Sequence, residues 1–337
     1  MESKAKILIA TGIYPPDVGG PAKYAKNLQE EFSRMGHKVT VVKYGVEKKL
    51  PTGARHLWYF FRVFSALWGV DYVFALDTFS VGLPVSLAAK ICRKKIAIRV
   101  GGDFLWESYA QRTGSRITLA EFYKKKPNLS FKEKVIFSFT KFALNGAVRV
   151  VFSTNWQKEI SASPYELDSA KCSVIENFYG EKEIGNKSVK KNFLYAGRLI
   201  KIKSLEALEK AFEKVKKENS ELELDIISGL GHDELMRKIR DCYAVVLPSL
   251  SEVSPNFILE AIRFNKPFIL TRENGLYEKL KDIGVFVNPL DEGDIAQKIL
   301  FLAEGQNYEA QKKKVENFNF AHSWQEIASE FLNVLKG

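Results

Sequence analysis

Cysteine and histidine are scarce in this sequence, and neither residue type forms a motif. The 337 residues include three cysteines, Cys92, Cys172 and Cys242, and four histidines. None of them stands in a Cys-x-x-Cys pair or a His/Cys cluster, which excludes a zinc-finger module and a disulfide framework. We expect the cysteines to be reduced structural residues of a cytosolic protein.

Long hydrophobic runs are lacking as well. A transmembrane helix needs ~18 or more consecutive apolar residues, and no run in the sequence approaches that length. The short apolar run Ile7–Ala10 is expected to form a strand rather than a signal peptide. The sequence therefore predicts a cytoplasmic protein, and its length favours two domains over one hydrophobic core.

Excess positive charge is confined to the first half of the chain. Residues 1–180 contain 27 Lys and Arg against 15 Asp and Glu, whereas residues 181–337 contain 24 against 25. Such an excess attracts an anionic partner, which could be a membrane surface, an anionic acceptor or nucleic acid. We expect no nucleic acid partner, because no recognised binding module is present and the aromatic residues are predicted to face the core.

Short runs rich in Val and Ile alternate with helical patterns along both halves of the chain. Apolar strands without polar alternation, separated by helices, predict a parallel, doubly wound sheet. The fold class is therefore α/β, with two Rossmann-like domains. The stretch 179–191 is rich in Lys, Glu and Gly and is interpreted as the interdomain linker.

The stretch Val245–Pro267 organises the second half and is predicted to be a strand, a loop and a helix. Ser254 is expected to cap this helix and Pro255 to occupy its first position. The amides of Asn256 and Phe257 would then point out of the helix start and favour an anion. Two carboxylates, Glu252 and Glu260, flank this site, and their alternative role is that of solvated surface charges.

Two further loops could contribute to anion binding. Arg198 follows a predicted strand and Lys203 precedes a predicted helix. The forked guanidinium of an arginine and the compact ammonium of a lysine can together bind a diphosphate. Gly19 and Gly20 precede the first predicted helix and would let the backbone approach a ligand closely. The alternative for Arg198 and Lys203 is a solvated pair of cations, and the alternative for Gly19 and Gly20 is a tight turn.

Taken together and in this order, three motifs resemble the glycosyltransferases of the GT-B class, family 4. They cover nearly the whole chain and comprise a Pro-Pro-x-x-Gly-Gly loop (Pro15–Gly20) with Gly36–Val41, Gly197–Leu199 with Lys203, and Leu247–Ser249 followed by Glu252, seven residues and Glu260.

The resemblance implies that the two domains face each other across a cleft. The first, residues 1–178, would bind the acceptor, and the second, residues 179–321, would bind a nucleotide sugar. A helix at 322–337 would return to the first domain, which would explain the apolar stripe that follows Ser323. We expect a monomer.

The resemblance further implies a retaining reaction that needs neither a metal nor a cofactor. The sequence agrees in having no Asp-x-Asp motif for a metal-bound diphosphate. Arg198, Lys203 and the amides of Asn256 and Phe257 would then meet the diphosphate charge, and stabilising the leaving group is the main catalytic task.

The family pattern also assigns roles to the carboxylates and glycines. Glu252 would contact the transferred sugar as a catalytic residue, and Glu260 would bind the ribose hydroxyls. The remaining predicted donor-binding residues are Gly19, Gly20 and Gly229.

Asp103 and Trp106 belong to a Gly-Asp-x-x-Trp-Glu variant of the family pattern. Asp103 is predicted to be a polar, catalytic group near the sugar or acceptor, and Trp106 to be a stacking surface for the acceptor. The alternative for Asp103 is a helix N-cap, and both interpretations stay open.

Two helical stretches could lie on a membrane. Arg55–Trp68 is rich in aromatic residues, and we expect it to cover a sheet, with an interfacial patch as the alternative. For Phe131–Leu144, which follows Lys124–Lys126, the core and membrane interpretations both stay open.

The sequence therefore predicts a glycosyltransferase that moves a sugar from a nucleotide-diphosphate sugar to a glycan or lipid-linked acceptor. We expect it to act in surface polysaccharide synthesis, in the cytoplasm or peripherally at the inner face of the membrane. A nucleotide-sugar epimerase of GT-B fold and a catalytically silent binding protein are the alternatives. The silent form is suggested by a segment between Gly231 and Val245 that is shorter than usual for the family.

Overall fold

The computed structural model describes residues 4–186, 188 and 190–336, apart from the side chain of Thr52. These residues form two compact α/β units. Unit 1 contains residues 4–105, 128–178 and 323–336, and unit 2 contains 106–127 and the described part of 179–322.

Both units contain a parallel sheet, as the fold prediction requires. In the described residues of unit 1 the six strands are ordered β2-β1-β3-β4-β5-β6, and in those of unit 2 the five strands are ordered β11-β10-β9-β7-β8. The strands are β1 Lys6–Thr11, β2 Lys38–Lys43, β3 Tyr72–Ala75, β4 Lys95–Arg99, β5 Arg149–Phe152, β6 Cys172–Val174, β7 Asn192–Ala196, β8 Glu223–Ile227, β9 Ala244–Leu247, β10 Phe268–Thr271 and β11 Val285–Val287.

Helices connect the strands, so that the predicted α/β class is confirmed. None of them, within the described part of the chain, has the length and hydrophobicity of a transmembrane segment. They are α1 Gly20–Arg34, α2 Thr52–Ala66, α3 Gly82–Ile91, α4 Phe104–Thr113, α5 Leu119–Lys125, α6 Phe131–Gly146, α7 Asn155–Tyr165, α8 Leu205–Glu218, α9 His232–Asp241, α10 Asn256–Arg263, α11 Tyr277–Leu280, α12 Glu292–Ala303, α13 Gly305–Asn317 and α14 Trp324–Lys336.

The last helix, α14, lies in unit 1. Ser323 and Glu326 form a capping box at its start, in which the Glu326 N–H donates to Ser323 Oγ and the Ser323 N–H donates to Glu326 Oε2. Its apolar stripe, including Ile327 and Phe331, is buried in the core of unit 1 together with β1 and β3. His322 belongs instead to unit 2, where its backbone pairs with Tyr179.

Residues 106–127 lie in unit 2, whereas the sequence analysis placed them in the first domain. The Leu119 N–H donates to Ser251 Oγ at 2.9 Å, and Arg116 Nη2 donates to the Pro289 carbonyl at 2.9 Å. Leu119 and Phe122 are buried there. Polar groups of this segment therefore find partners in the loops after β9 and β11 of unit 2.

The stretch interpreted as a linker is anchored to unit 2 over its described first part. Glu183 forms ion pairs with Arg240 and Arg263. Lys182 Nζ donates to the carbonyls of Ile262 and Val315. This part, 179–186, is therefore fixed to the surface of unit 2; Lys187 and Val189 lie outside the described residues.

Candidate active site

The strand order of unit 2 identifies the place where a ligand would bind. β7 lies between β8 and β9, so that the chain leaves β7 in one direction across the sheet and returns to its other side. Open α/β sheets bind ligands outside the carboxyl ends of strands at such a switch point. The loops after β7 and β9, residues 197–204 and 248–255, meet there.

Lys203 and Glu252 bring these two loops together. Lys203 Nζ forms an ion pair with Glu252 Oε1, and the Ser249 hydroxyl donates to the same oxygen at 2.6 Å. Lys203 ends a 3₁₀ turn after β7, whereas Ser249 and Glu252 follow β9. Because both partners are largely buried, the pair fixes a charged cluster at the switch point.

The backbone of Glu252 is fixed as firmly as its side chain. Its N–H donates to the Glu273 carbonyl at 2.9 Å, and its carbonyl accepts from the Gly275 N–H at 2.9 Å. Within the described residues, both side-chain contacts fall on Oε1 and none on Oε2. Glu252 therefore keeps an acceptor oxygen available to a hydroxyl group.

Arg198 is held by a residue that the sequence analysis did not select. Its Nη2 donates to Glu107 Oε1 at 2.8 Å, and this hydrogen bond raises the pKa of the guanidinium. Glu107 comes from α4, in the segment that joins unit 2. Arg198 thus remains a cation, and a diphosphate would share or displace Glu107. The Gly-Asp-x-x-Trp-Glu motif contained Glu107, but only the placement of 106–127 reveals its partner.

Tyr195 lies beneath the same cluster and is fully buried. Its hydroxyl has no hydrogen-bond partner among the described residues. Burial raises its pKa, and the negative charge of Glu252 adds to the effect. A buried hydroxyl without a partner is destabilising. The hydroxyl of Tyr195 therefore lowers the stability of the ligand-free protein.

The start of α10 differs from the prediction. The helix begins at Asn256 and Pro255 occupies the N-cap, so that Ser254 is not the capping residue. The Asn256 N–H donates to the Ser254 carbonyl at 2.9 Å, which removes it from the expected anion site. The Phe257 N–H has no acceptor in the described part of the chain.

Glu260 is committed to an ion pair within unit 2. Its Oε2 lies 3.4 Å from Arg263 Nη1, at helical spacing of three residues. Arg263 in turn contacts Glu183 in the anchored stretch. Glu260 is thus partly used for structure, although it remains partly exposed.

Two of the predicted glycines, Gly19 and Gly229, have backbone angles that favour glycine. Gly229 follows β8 with a φ of +75° and open space around it, and Gly19 precedes α1 with a φ of +141°. Both angles disfavour residues with a Cβ atom. Gly20 is the exposed first residue of α1 in unit 1.

Asp103 and Trp106 have different surroundings. Asp103 directly precedes α4 in unit 1 and lines a small pocket with Thr78, Thr140 and Tyr165. Trp106 belongs to unit 2, is only 3% exposed, and donates from Nε1 to the Ile117 carbonyl at 2.9 Å. Trp106 is therefore a core residue and not the stacking surface that was expected.

Glu273 is another carboxylate beside the cluster, and no motif in the sequence pointed to it. It follows β10, and its carbonyl accepts the N–H of Glu252. Burial raises the pKa of its side chain, and the neighbouring charge of Glu121 acts in the same direction. A shifted carboxylate at the carboxyl edge of a sheet is typical of functional sites, though ion-pair networks produce such shifts as well.

No family model matches this sequence. A curated protein, an uncharacterized glycosyltransferase of Methanocaldococcus jannaschii, is 25% identical to it, with 98% of each chain covered. This similarity extends through both units.

Solved structures resemble the chain over nearly its full length. Sucrose-phosphate synthase from Thermosynechococcus elongatus has a TM-score of 0.70 at 12% identity, with 98% of both chains covered. Starch synthase IV from Arabidopsis thaliana, bound to ADP and acarbose, has a TM-score of 0.66 at 10% identity, with 99% of both chains covered. A candidate UDP-N-acetylglucosamine 2-epimerase of Listeria monocytogenes scores 0.62 at 12% identity, covering 99% of this chain and 96% of that one.

At these identities the structural likeness establishes the fold, and the curated relative adds the activity class. Together they support a glycosyltransferase-like protein with a GT-B-like fold of two Rossmann-like domains.

Proposed function

We propose that this protein is a retaining, metal-independent glycosyltransferase of family 4. It transfers a sugar from a nucleotide-diphosphate sugar to a glycan or lipid-linked acceptor in surface polysaccharide synthesis. The observation that carries the proposal is the cluster of Lys203, Glu252 and Arg198 at the switch point of unit 2. Open sheets of this kind bind nucleotides at that point.

The cations and the carboxylate of the cluster have different roles in the proposed reaction. Lys203 and Arg198 neutralise the diphosphate, because each has N–H donors beyond the one used for its carboxylate. Oε2 of Glu252 accepts a hydroxyl of the transferred sugar. Protein cations then do the work that a divalent ion does in other transferases, which supports metal independence.

In the proposed reaction the nucleoside diphosphate is the leaving group. The bond between the anomeric carbon and the diphosphate oxygen breaks, and the acceptor oxygen forms a bond to that carbon on the same face. The leaving phosphate oxygen takes the acceptor proton. No separate general base is then required, and protein groups mainly stabilise the negative charge that develops on the diphosphate.

We test the proposal first by thermal shift with a panel of nucleotide sugars, because a true donor stabilises the folded state by mass action. Transfer is then measured with the stabilising donor. Arg198→Ala and Glu252→Gln should each lose about 100-fold or more in transfer, as expected for lost charge stabilisation.

Glu47→Gln is the matched control, since Glu47 is, like Glu252, a buried carboxylate in an ion pair, but its partner is Arg62 and it lies in unit 1. It should lower thermal stability without weakening donor binding. Transfer that is unchanged in both Arg198→Ala and Glu252→Gln would refute the mechanism.

The epimerase alternative is favoured only by the structural likeness to the Listeria protein. NMR of a nucleotide sugar incubated with the protein alone distinguishes the two activities. A changed sugar configuration without acceptor would establish the epimerase, whereas donor binding with neither reaction would indicate a silent binding protein.

A further inference from the structure

Three neighbouring helices of unit 1, with the residues that follow the first of them, carry exposed aromatic side chains. α2 packs against α3, and α3 packs against α6. We name as the aromatic face the exposed side chains of Trp58, Phe61, Phe64, Trp68, Phe131 and Phe139. Trp68 is 95% exposed and Phe131 is 84% exposed. Large contiguous apolar patches are rare on proteins without a partner surface.

Two polar contacts fix the rotation of α2 about its axis and thereby determine which of its side chains are exposed. Tyr59 is fully buried and donates from its hydroxyl to the Val42 carbonyl at 2.6 Å. Arg62 Nη1 donates to the Lys43 carbonyl at 2.9 Å and pairs with the buried Glu47. Turning the helix to bury Trp58 and Phe61 would break both anchors. The prediction that Arg55–Trp68 covers a sheet agrees with the burial of Tyr59 and Val63, whereas the opposite side of the helix is apolar and exposed.

The charged side chains of these three helices are almost all cationic. α2, α3 and α6 together contain a single carboxylate, Glu133, which is buried in the capping box with Ser130. Lys90, Lys132 and Lys134 are exposed. Lys90 Nζ lies 5.8 Å from the ring centre of Phe142, so cationic and aromatic groups are interleaved.

We propose that the aromatic face binds an anionic lipid bilayer. Trp and Phe side chains favour the membrane interface, and lysines beside them are attracted to anionic headgroups. Docking of a second copy through this face would bring two sets of uncompensated lysines together, which opposes self-association. The inference specifies how the proposed enzyme reaches the membrane, but it does not depend on the transfer chemistry.

The test is co-flotation of the full chain with vesicles of phosphatidylcholine alone or with about one-third phosphatidylglycerol. We expect binding to the anionic vesicles that weakens with salt, because Lys–headgroup attraction is screened. Trp58→Glu/Trp68→Glu should reduce the bound fraction on the order of tenfold, and Lys132→Glu/Lys134→Glu should do so at low salt.

Ile184→Glu and Lys214→Glu are matched controls, because both residues are exposed but belong to unit 2. Neither should alter flotation, and circular dichroism establishes that each variant is folded. Equal binding by all variants, or no binding to anionic vesicles, would overturn the proposal. So would dimerisation through the face, seen in sedimentation as a dimer that Trp58→Glu/Trp68→Glu abolishes, without vesicle binding. Transfer to a water-soluble acceptor reports separately on the enzyme.

Discussion

Lys203 and Glu252, which are 49 positions apart in the sequence, form a largely buried ion pair that joins the loops after β7 and β9. The pair unites two motifs that the sequence analysis had assigned separately to phosphate and sugar binding. The stability of unit 2 and its proposed activity therefore depend on the same pair of residues.

Breaking this pair should destabilise unit 2. Lys203→Met leaves a buried carboxylate without a cation and should lower the free energy of unfolding by about 3 kcal/mol. Adding Glu252→Gln should restore part of the loss, because the two residues are coupled. Urea denaturation of the single and double variants measures the coupling. Strictly additive losses would show that the pair makes no net contribution.

Glu107 should compete with a bound diphosphate for Arg198. Glu107→Gln removes the competing charge and should tighten the binding of inorganic pyrophosphate by up to about fivefold, the value of an exposed ion pair. Isothermal titration calorimetry measures this affinity. Glu278→Gln, which breaks the exposed pair with Lys281, serves as control. Weaker pyrophosphate binding in Glu107→Gln would mean that Glu107 orients Arg198 instead of competing for it.

Tyr195→Phe should be neutral or stabilising in the ligand-free protein. The substitution removes a buried hydroxyl that has no described partner, and such a group costs about 1 kcal/mol or more. Tyr243→Phe is the matched control, because the Tyr243 hydroxyl donates to the Leu302 carbonyl at 3.1 Å. Thermal melting should place Tyr195→Phe at or above the parent and Tyr243→Phe below it. A clear loss of stability in Tyr195→Phe would reveal a partner for its hydroxyl.

Ser204→Gly should stabilise the loop before α8. Ser204 has a φ of +52°, and its buried hydroxyl has no partner in the described part of the chain. Glycine adopts this conformation without strain, although it also increases the entropy of the unfolded chain. A gain of up to about 1 kcal/mol in the free energy of unfolding is expected from chemical denaturation. A loss would show that the serine side chain contributes to packing.

The contribution of Lys182 to stability should depend on pH. Burial lowers its pKa from 10.5 to about 8, against an opposing effect of Glu316. Between these values the unfolded state binds more protons at this site than the folded state, so its contribution to folding becomes more favourable as the pH rises. The stability of the parent relative to Lys182→Met should therefore increase from pH 8 to pH 10. A difference that stays constant over this range would contradict the shifted pKa.

The sequence contained enough information for the sheets and for placing the loops of Lys203 and Glu252 at the carboxyl ends of strands, but not for the ion pair between them. Strands such as β1 and β9 contain apolar runs without polar alternation, and parallel topology brings the loops at their carboxyl ends to one edge. The strand β6, Cys172–Val174, was not predicted, because Ser173 interrupts its apolar pattern and none of its residues is fully buried.

Other features depended on packing that local patterns do not encode. α5 has only seven residues, and its placement in unit 2 is decided by contacts such as Leu119 with Ser251. α2 is aromatic on nearly all sides, so periodicity could not indicate which side faces the core. Tyr59 and Arg62 decide it through partners distant in the sequence.

The membership of residues 106–127 in unit 2 has a consequence for dividing the gene. The chain passes between the units at 105/106, 127/128, 178/179 and 322/323. A fragment that ends at residue 178 would carry Arg116 and Leu119 without their hydrogen-bond partners Pro289 and Ser251, and would lack α14. Chimeras with related enzymes that exchange one intact unit must therefore join the two sequences at four places rather than one.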